Sequence, residues 1–216
     1  ALQFMAMGCH AFILDYSVAP NHFPTSVREL GEAVAYIREH AAEWKVDPAK
    51  IIVCGSSAAG HLACSLGVFW DNELVYDAIG RTPAQIRPDG LILCYPVITG
   101  GEYAHVNSFK RLLGDDVTQE QRDAVSLENF VTEQTPRAFI WHTYTDENVP
   151  VENSLLLAAA MKRKNVNFEL HIYPTGGHGL SLADEETAGN GFQVVEQCQS
   201  WIPLVKMWLK HFEASC

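Results

Sequence analysis

Short apolar runs alternate with longer amphipathic segments along most of the 216-residue chain. The runs are rich in β-branched and aromatic residues, as buried strands are, and the longer segments carry apolar residues at helical spacing. This alternation is typical of a largely parallel sheet whose crossover helices cover its faces. We therefore predict strands at 10–16, 51–54, 91–95, 138–142 and 167–173, and helices at 26–44, 61–70, 152–164 and 201–212.

The chain is predicted to form a single α/β domain over residues 1–216. It contains no repeat, linker or low-complexity tract, and its 48% hydrophobic content is enough for one sizeable core. The segment 97–136 is rich in Asp, Glu and Gln and is too long for a plain connection. We predict that this segment is a lid or a substrate loop.

The charge of the chain restricts its partners. The formal net charge is -11, and the 15 Lys and Arg residues are scattered along the sequence. Such a surface repels phosphate backbones and anionic lipid, so neither nucleic acid nor a membrane is an expected partner. A neutral or cationic small molecule is the expected ligand.

Cysteine spacing and hydropathy favour a soluble cytoplasmic protein. No C-x-x-C pair or framework spacing occurs, which indicates reduced, structural cysteines at positions 9, 54, 64, 94, 198 and 216. No apolar run approaches the roughly 18 residues that span a bilayer, and the first residues lack the features of a secretory leader. Because the chain opens with Ala1, in what resembles the end of a helix, we expect the gene product to extend upstream.

The stretch IIVCGSSAAGHLA, residues 51–63, predicts a strand, a tight turn and a helix. A nucleophile on such a turn needs small residues two positions before and after it, and Ser57 has Gly55 and Ala59 there. Ser56 fits less well because Cys54 still belongs to the strand. The backbone N–H of Ala58, at the helix start, would stabilise an oxyanion. Serines before helices also act as simple caps, so this stretch alone leaves both interpretations open.

Two further residues complete a catalytic pattern. A serine hydroxyl needs a histidine to accept its proton, and the histidine needs a carboxylate to fix its tautomer. Asp146 follows the predicted strand 138–142, and His178 follows the strand 167–173 within the turn-prone sequence TGGHG. The chain order Ser57, Asp146, His178 is that of α/β-hydrolases. Asp146 as a turn residue and His178 as a structural histidine are the alternatives for each residue taken singly.

The other histidines are given different roles. His61 lies four residues after Ser57 on the same helix and is expected to support the site rather than act as the base. No H-x-x-x-H, H-E-x-x-H or Cys/His cluster occurs, so neither a metal nor a cofactor is predicted. We predict packing roles for the histidines in or beside strands, which are His10, His142 and His171.

With these residues in place, the chain resembles the α/β-hydrolase superfamily and its bacterial esterase branch, which includes acetyl-xylan-esterase-like proteins. The matching stretches are LDYSVAPNHFP, VCGSSAAGHLA, FIWHTYTDENVPVENSLLLAAAM and YPTGGHGLSLA. The resemblance implies carboxylester hydrolysis through an acyl-enzyme, with Ser57 as nucleophile, His178 as base and Asp146 as its orienter. Acetylated sugars and other small acetyl esters are the substrates that it suggests.

Two departures from the family pattern keep alternatives open. Ala59 replaces the usual second glycine of the turn, and the H-G-G-G loop that supplies a second oxyanion N–H does not occur. The strand before that loop is also missing, so we expect a sheet that lacks its N-terminal strands. The alternatives to an esterase are a serine peptidase of the prolyl-oligopeptidase type, an acyltransferase, and a catalytically impaired binding protein.

Overall fold

The computed structural model describes residues 1–212, without the side chain of Phe192. Four strands form its sheet: β1 (Ile52–Ser56), β2 (Gly90–Cys94), β3 (Arg137–Thr143) and β4 (Phe168–Tyr173). The helices in these residues are α1 (Leu2–Ala6), α2 (Thr25–Glu39), α3 (Ala41–Trp44), α4 (Ala58–Phe69), α5 (Glu73–Tyr76), α6 (Pro83–Ile86), α7 (Val106–Leu113), α8 (Gln119–Asp123), α9 (Glu152–Arg163), α10 (Glu196–Gln199) and α11 (Trp201–Leu209). Short 3-10 helices lie at Asp77–Ile79, Leu127–Asn129, Gly191–Gln193 and Lys210–Phe212.

The four strands are all parallel and lie in the sheet in their chain order, β1-β2-β3-β4. Ser56, Cys94, Trp141 and His171 stand opposite one another across the four strands. Because parallel strands end at the same edge, the loops that follow β1, β3 and β4 meet there. The predicted parallel sheet flanked by helices is confirmed.

Side chains alternate between two hydrophobic cores, one on each face of the sheet. Leu91 and Leu93 of β2 belong to the core that is covered by α2, α4 and α9. Ile92 and Cys94 belong to the opposite core, where they meet α11. The near-continuous apolar run of β2 reflects this two-sided burial, which parallel sheets require.

The strand predicted at 10–16 is wrong. This segment runs without regular secondary structure, and Ile13 in it is 84% exposed. A strand is held by ladder hydrogen bonds to a neighbour, and no strand of the described residues lies beside this segment. The helix predicted at 26–44 is interrupted at His40, which divides it into α2 and α3.

The segment 97–136 contains regular structure of its own. It includes α7, α8 and one of the 3-10 helices. Phe109 of α7 is buried in a small cluster with Val97, Val125 and Val149. The segment therefore packs onto the domain, and its role toward a substrate stays a prediction.

Two simpler expectations concern thiols and membranes. Cys54, Cys64, Cys94 and Cys198 carry free thiols, as predicted, while Cys216 lies outside the described residues. Within residues 1–212, none of the helices has the length and apolar character that crossing a bilayer requires.

Candidate active site

Ser57 lies on a strained turn between β1 and α4. Its backbone has φ 56° and ψ -120°, a left-handed conformation that costs free energy for a residue with a side chain. Two backbone hydrogen bonds hold it there: its N–H donates to the carbonyl of Cys94 at 3.0 Å, and its carbonyl accepts from Val97 N–H at 3.1 Å. Both partners follow or end β2, so the neighbouring strand fixes the turn.

Two glycines allow the close backbone contacts of this turn. A Cβ atom on Gly55 would lie 2.0 Å from the carbonyl oxygen of Ala59, and one on Gly60 would lie 2.7 Å from Cβ of Pro96. Neither position therefore has room for a side chain. Ala59 itself keeps its methyl group, so the second close approach is made by Gly60. Ala59 does not have a positive φ, so its methyl group adds no backbone strain to the turn.

The three predicted catalytic side chains form a continuous chain of hydrogen bonds. Ser57 Oγ lies 2.7 Å from His178 Nε2, and His178 Nδ1 lies 2.6 Å from Asp146 Oδ2. The carboxylate of Asp146 is fully buried, whereas the His178 side chain is 17% exposed. The Ser57 hydroxyl therefore lies at the accessible end of this series of hydrogen bonds, and the Asp146 carboxylate lies at its buried end. In this arrangement Nδ1–H of His178 donates a hydrogen bond to Asp146. Nε2 is then the unprotonated nitrogen and can accept the hydrogen bond of the Ser57 hydroxyl.

Threonine side chains join the His178 loop to the Asp146 loop. Thr143 Oγ1 donates to the carbonyl of Gly176 at 2.9 Å, and Thr145 Oγ1 accepts from Gly176 N–H at 2.9 Å. Gly176 has φ +142°, and a Cβ there would lie 2.8 Å from Thr143 Cγ2. Only glycine meets both conditions, which explains the first glycine of the pair before His178.

The ring of Tyr95 supports the imidazole from the side. Its edge-to-face contact with His178 has a centroid distance of 5.2 Å. Tyr95 OH accepts the backbone N–H of Ser181 at 3.1 Å, which anchors the loop after His178. Contacts from Tyr95, the residue after β2, therefore restrict the orientation of the imidazole ring.

Asp146 is held ionised by several donors. Its Oδ1 accepts the backbone N–H groups of Asn148 and Val149, each at 3.0 Å. His142 Nε2 lies 3.3 Å from Oδ2, the same oxygen that contacts His178. Burial alone would raise the pKa of Asp146, but the hydrogen bonds from His142, His178 and Val149 outweigh it and hold that pKa well below its usual 3.8.

This lowered pKa predicts a specific pH dependence of stability. A carboxyl group whose pKa is lower in the folded protein stabilises the fold at pH values above its unfolded pKa and loses that contribution on acidification. We expect the difference in unfolding free energy between wild type and Asp146→Asn to be constant from pH 7 to about pH 5 and to shrink below about pH 4. Urea denaturation at each pH measures it. A difference that grows on acidification would contradict the assigned donors.

Two other histidines lie near this site. His61, expected to support it, donates from Nε2 to the carbonyl of Val125 at 3.0 Å and accepts from Ser65 Oγ at 3.3 Å. Burial lowers the pKa of His61 to about 4, so it is neutral at pH 7. His142, predicted to be a packing residue, is fully buried and also contacts Asp146. No sequence signal beyond its place at the end of β3 pointed to that contact.

The helix start and a neighbouring cavity complete the site. Ala58 is the first residue of α4, and the N–H groups of a first helical turn have no acceptor within the helix. A cavity of about 280 Å³ begins at Ala58 and is walled by the loop before α2 and by α7. Within residues 1–212, no three His, Cys, Asp or Glu side chains converge as a metal site requires. Lining residues of the cavity include Tyr16, His22, His61, Phe109 and Leu112.

Comparisons with known proteins agree with this architecture. The chain is 39% identical over 195 residues to endo-1,4-beta-xylanase B of Butyrivibrio fibrisolvens, covering 86% of this chain and 30% of that protein. It is 28% identical over 180 residues to the acetylxylan esterase of Xylanibacter ruminicola, covering 81% of this chain and 35% of that protein. The chain thus spans about a third of the length of these curated relatives.

A solved structure extends the comparison to three dimensions. The acetyl ester-xyloside bifunctional hydrolase of Caldicellulosiruptor lactoaceticus matches with a TM-score of 0.86 and 37% identity, covering 98% of this chain and 75% of that one. The BD-FAE family profile matches residues 2–161, which is well over half of the sequence. The chain therefore belongs to the BD-FAE family, an esterase family with the α/β-hydrolase fold.

Proposed function

We propose that the protein carrying this chain is a serine carboxylester hydrolase that acts on short acyl esters, acetyl esters in particular. The observation that supports it most is the hydrogen-bonded chain from Ser57 through His178 to Asp146, with distances of 2.7 and 2.6 Å. A serine in this arrangement, at the N-terminus of a helix, has both the base and the oxyanion donor that acyl transfer needs.

In the proposed reaction, Ser57 Oγ forms a bond to the ester carbonyl carbon while its proton passes to His178 Nε2. The carbonyl oxygen becomes an oxyanion that the N–H of Ala58 stabilises. His178 then gives its proton to the leaving alcohol as the ester bond breaks. Water attacks the acyl-enzyme with His178 again as base, and Ser57 recovers its proton as the acid leaves. Asp146 remains a carboxylate and stabilises the transient imidazolium.

Acetyl esters of sugars are the substrate class that we infer for this site. The names of two relatives include an acetylxylan esterase and an acetyl ester-xyloside hydrolase. A cavity of about 280 Å³ lies beside Ala58, the residue that follows Ser57, and offers room for part of the substrate. Phe109 and Leu112 of α7 line it, so we propose that the segment 97–136 forms part of the substrate site.

A substrate panel tests this function. The full-length protein is assayed on 4-nitrophenyl acetate, 4-nitrophenyl octanoate, acetylated xylo-oligosaccharides and a dipeptidyl 4-nitroanilide. We expect kcat/KM to be highest for the acetyl esters and at least roughly 100-fold lower for the anilide, because its amide carbonyl is less electrophilic and its amine is a poorer leaving group. Faster turnover of the anilide would favour a peptidase. No turnover of any ester would favour an impaired binding protein.

A further inference from the structure

We propose that His142 and Ser154 form a positioning pair for Asp146, so that the catalytic relay extends from three residues to five. His142 is the last but one residue of β3, and Ser154 lies in the first turn of α9. Both are 0% exposed. The inference rests on the proposed function, because it assigns their role through Asp146.

The hydrogen bonds around His142 fix its tautomer. Nε2 lies 2.9 Å from the carbonyl oxygen of Val149, which can only accept, so Nε2 carries a proton. Nδ1 lies 2.8 Å from Ser154 Oγ, and in the neutral ring it accepts the proton of that hydroxyl. The Nε2 proton is therefore directed at Val149, and Oδ2 of Asp146 lies 3.3 Å from the same nitrogen. Rotation of the ring would break both of its short hydrogen bonds.

These contacts restrict the orientation of the carboxylate without help from His178. Oδ1 of Asp146 accepts hydrogen bonds from two backbone N–H groups, and Oδ2 lies 3.3 Å from His142 Nε2. The remaining lone pair of Oδ2 is directed at His178 Nδ1. A buried carboxylate that is satisfied at both oxygens before the reaction needs no reorientation when the imidazolium forms. His105, at the start of α7, is a further titratable side chain close enough to interact with Asp146 and His178.

The residue before Ser154 in the same helical turn connects the surrounding loops. Asn153 Oδ1 accepts the N–H groups of Ile98 and Thr99, at 2.8 and 3.0 Å. Its Nδ2 donates to the carbonyls of Tyr103 and Pro150, at 2.9 and 3.0 Å. The loop that carries Asp146 is thereby attached to the loop after β2. The sequence DENVPVENS thus combines the carboxylate with the two side chains that hold its surroundings.

A double-mutant cycle of His142 and Asp146 tests the positioning role. Replacing His142 with leucine removes the donor while keeping an apolar side chain of related volume, and His142→Gln keeps an N–H donor near the Nε2 position. We expect His142→Leu to lower kcat for 4-nitrophenyl acetate roughly 10- to 100-fold with KM unchanged, because a hydrogen bond to a charged group is lost. His142→Gln should recover most of that loss. In an Asp146→Asn background, His142→Leu should change kcat less than about 3-fold.

The outcomes separate this inference from the proposed function. If a phosphonate probe fails to label Ser57 in the wild-type protein, the proposed function fails. If the wild type is labelled but the effect of His142→Leu is the same in both backgrounds, or His142→Gln is as impaired as His142→Leu, the positioning role is overturned. Should the leucine variant not fold, Ser154→Ala enters the same cycle. Ser154→Ala should lower kcat less than His142→Leu does, and this loss must also vanish in the Asp146→Asn background.

Discussion

Replacing Ser57 with alanine is expected to lower kcat for 4-nitrophenyl acetate by about 10⁴- to 10⁶-fold in the full-length protein. The reason is that, within residues 1–212, Ser57 Oγ is the hydroxyl bonded to His178, at 2.7 Å from its Nε2. The residual rate would come from substrate binding and the oxyanion donor alone. Circular dichroism and thermal melting should match wild type, since the substitution removes one hydroxyl and retains the turn.

Ser56 provides the matched control for this experiment. It is the adjacent serine, it ends β1, and its side chain is exposed. Ser56→Ala should change kcat less than about 3-fold, as is usual for a substitution that touches no reacting group. Equal losses of kcat in the two variants would mean that the serine assignment is wrong. Unchanged turnover in Ser57→Ala would mean that Ser57 is not the nucleophile.

Replacing Gly55 with alanine is expected to destabilise the protein by about 3 kcal/mol or more. The new Cβ would lie 2.0 Å from the carbonyl oxygen of Ala59 and 2.5 Å from its carbonyl carbon. These are backbone atoms of the first turn of α4, so no side chain can move aside. For a domain of this size, the loss corresponds to a fall in Tm of roughly 6–12 °C. Differential scanning calorimetry measures it.

Gly177→Ala serves as the control for Gly55→Ala. An added Cβ at Gly177 meets no atom within 4 Å, and its φ is not positive. Its Tm should stay within about 2 °C of wild type. A Gly55→Ala variant as stable as this control would mean that β1 and α4 do not approach as closely as the turn requires.

The parallel strands and the candidate site were predictable where a local pattern reflects a general constraint. Buried parallel strands need continuous apolar runs, so 91–95 and 138–142 were recognisable. The chain order of Ser57, Asp146 and His178, each after its own strand, indicated that their side chains meet at one sheet edge. Local patterns were sufficient because each of these residues lies within five positions after the end of a strand.

Features that depend on contacts between distant residues were not predictable. The segment 10–16 has the composition of a strand, but a strand also needs a neighbour, which composition does not report. Gly60 makes its close approach to Pro96, which lies 36 positions later in the sequence (96 - 60) and follows another strand. The sequence motif pointed to Ala59 instead. His142 resembles any buried strand residue, and its contact with Asp146 depends on how the loop after β3 turns back.

The most direct test of the central claim is to map the adduct of a phosphonate serine probe on the full-length protein by mass spectrometry. We expect a single modified residue, Ser57. Its labelling should slow when His178 is replaced by alanine and disappear in Ser57→Ala. An adduct on Ser56 or on any other residue, or labelling that persists in Ser57→Ala, would contradict it.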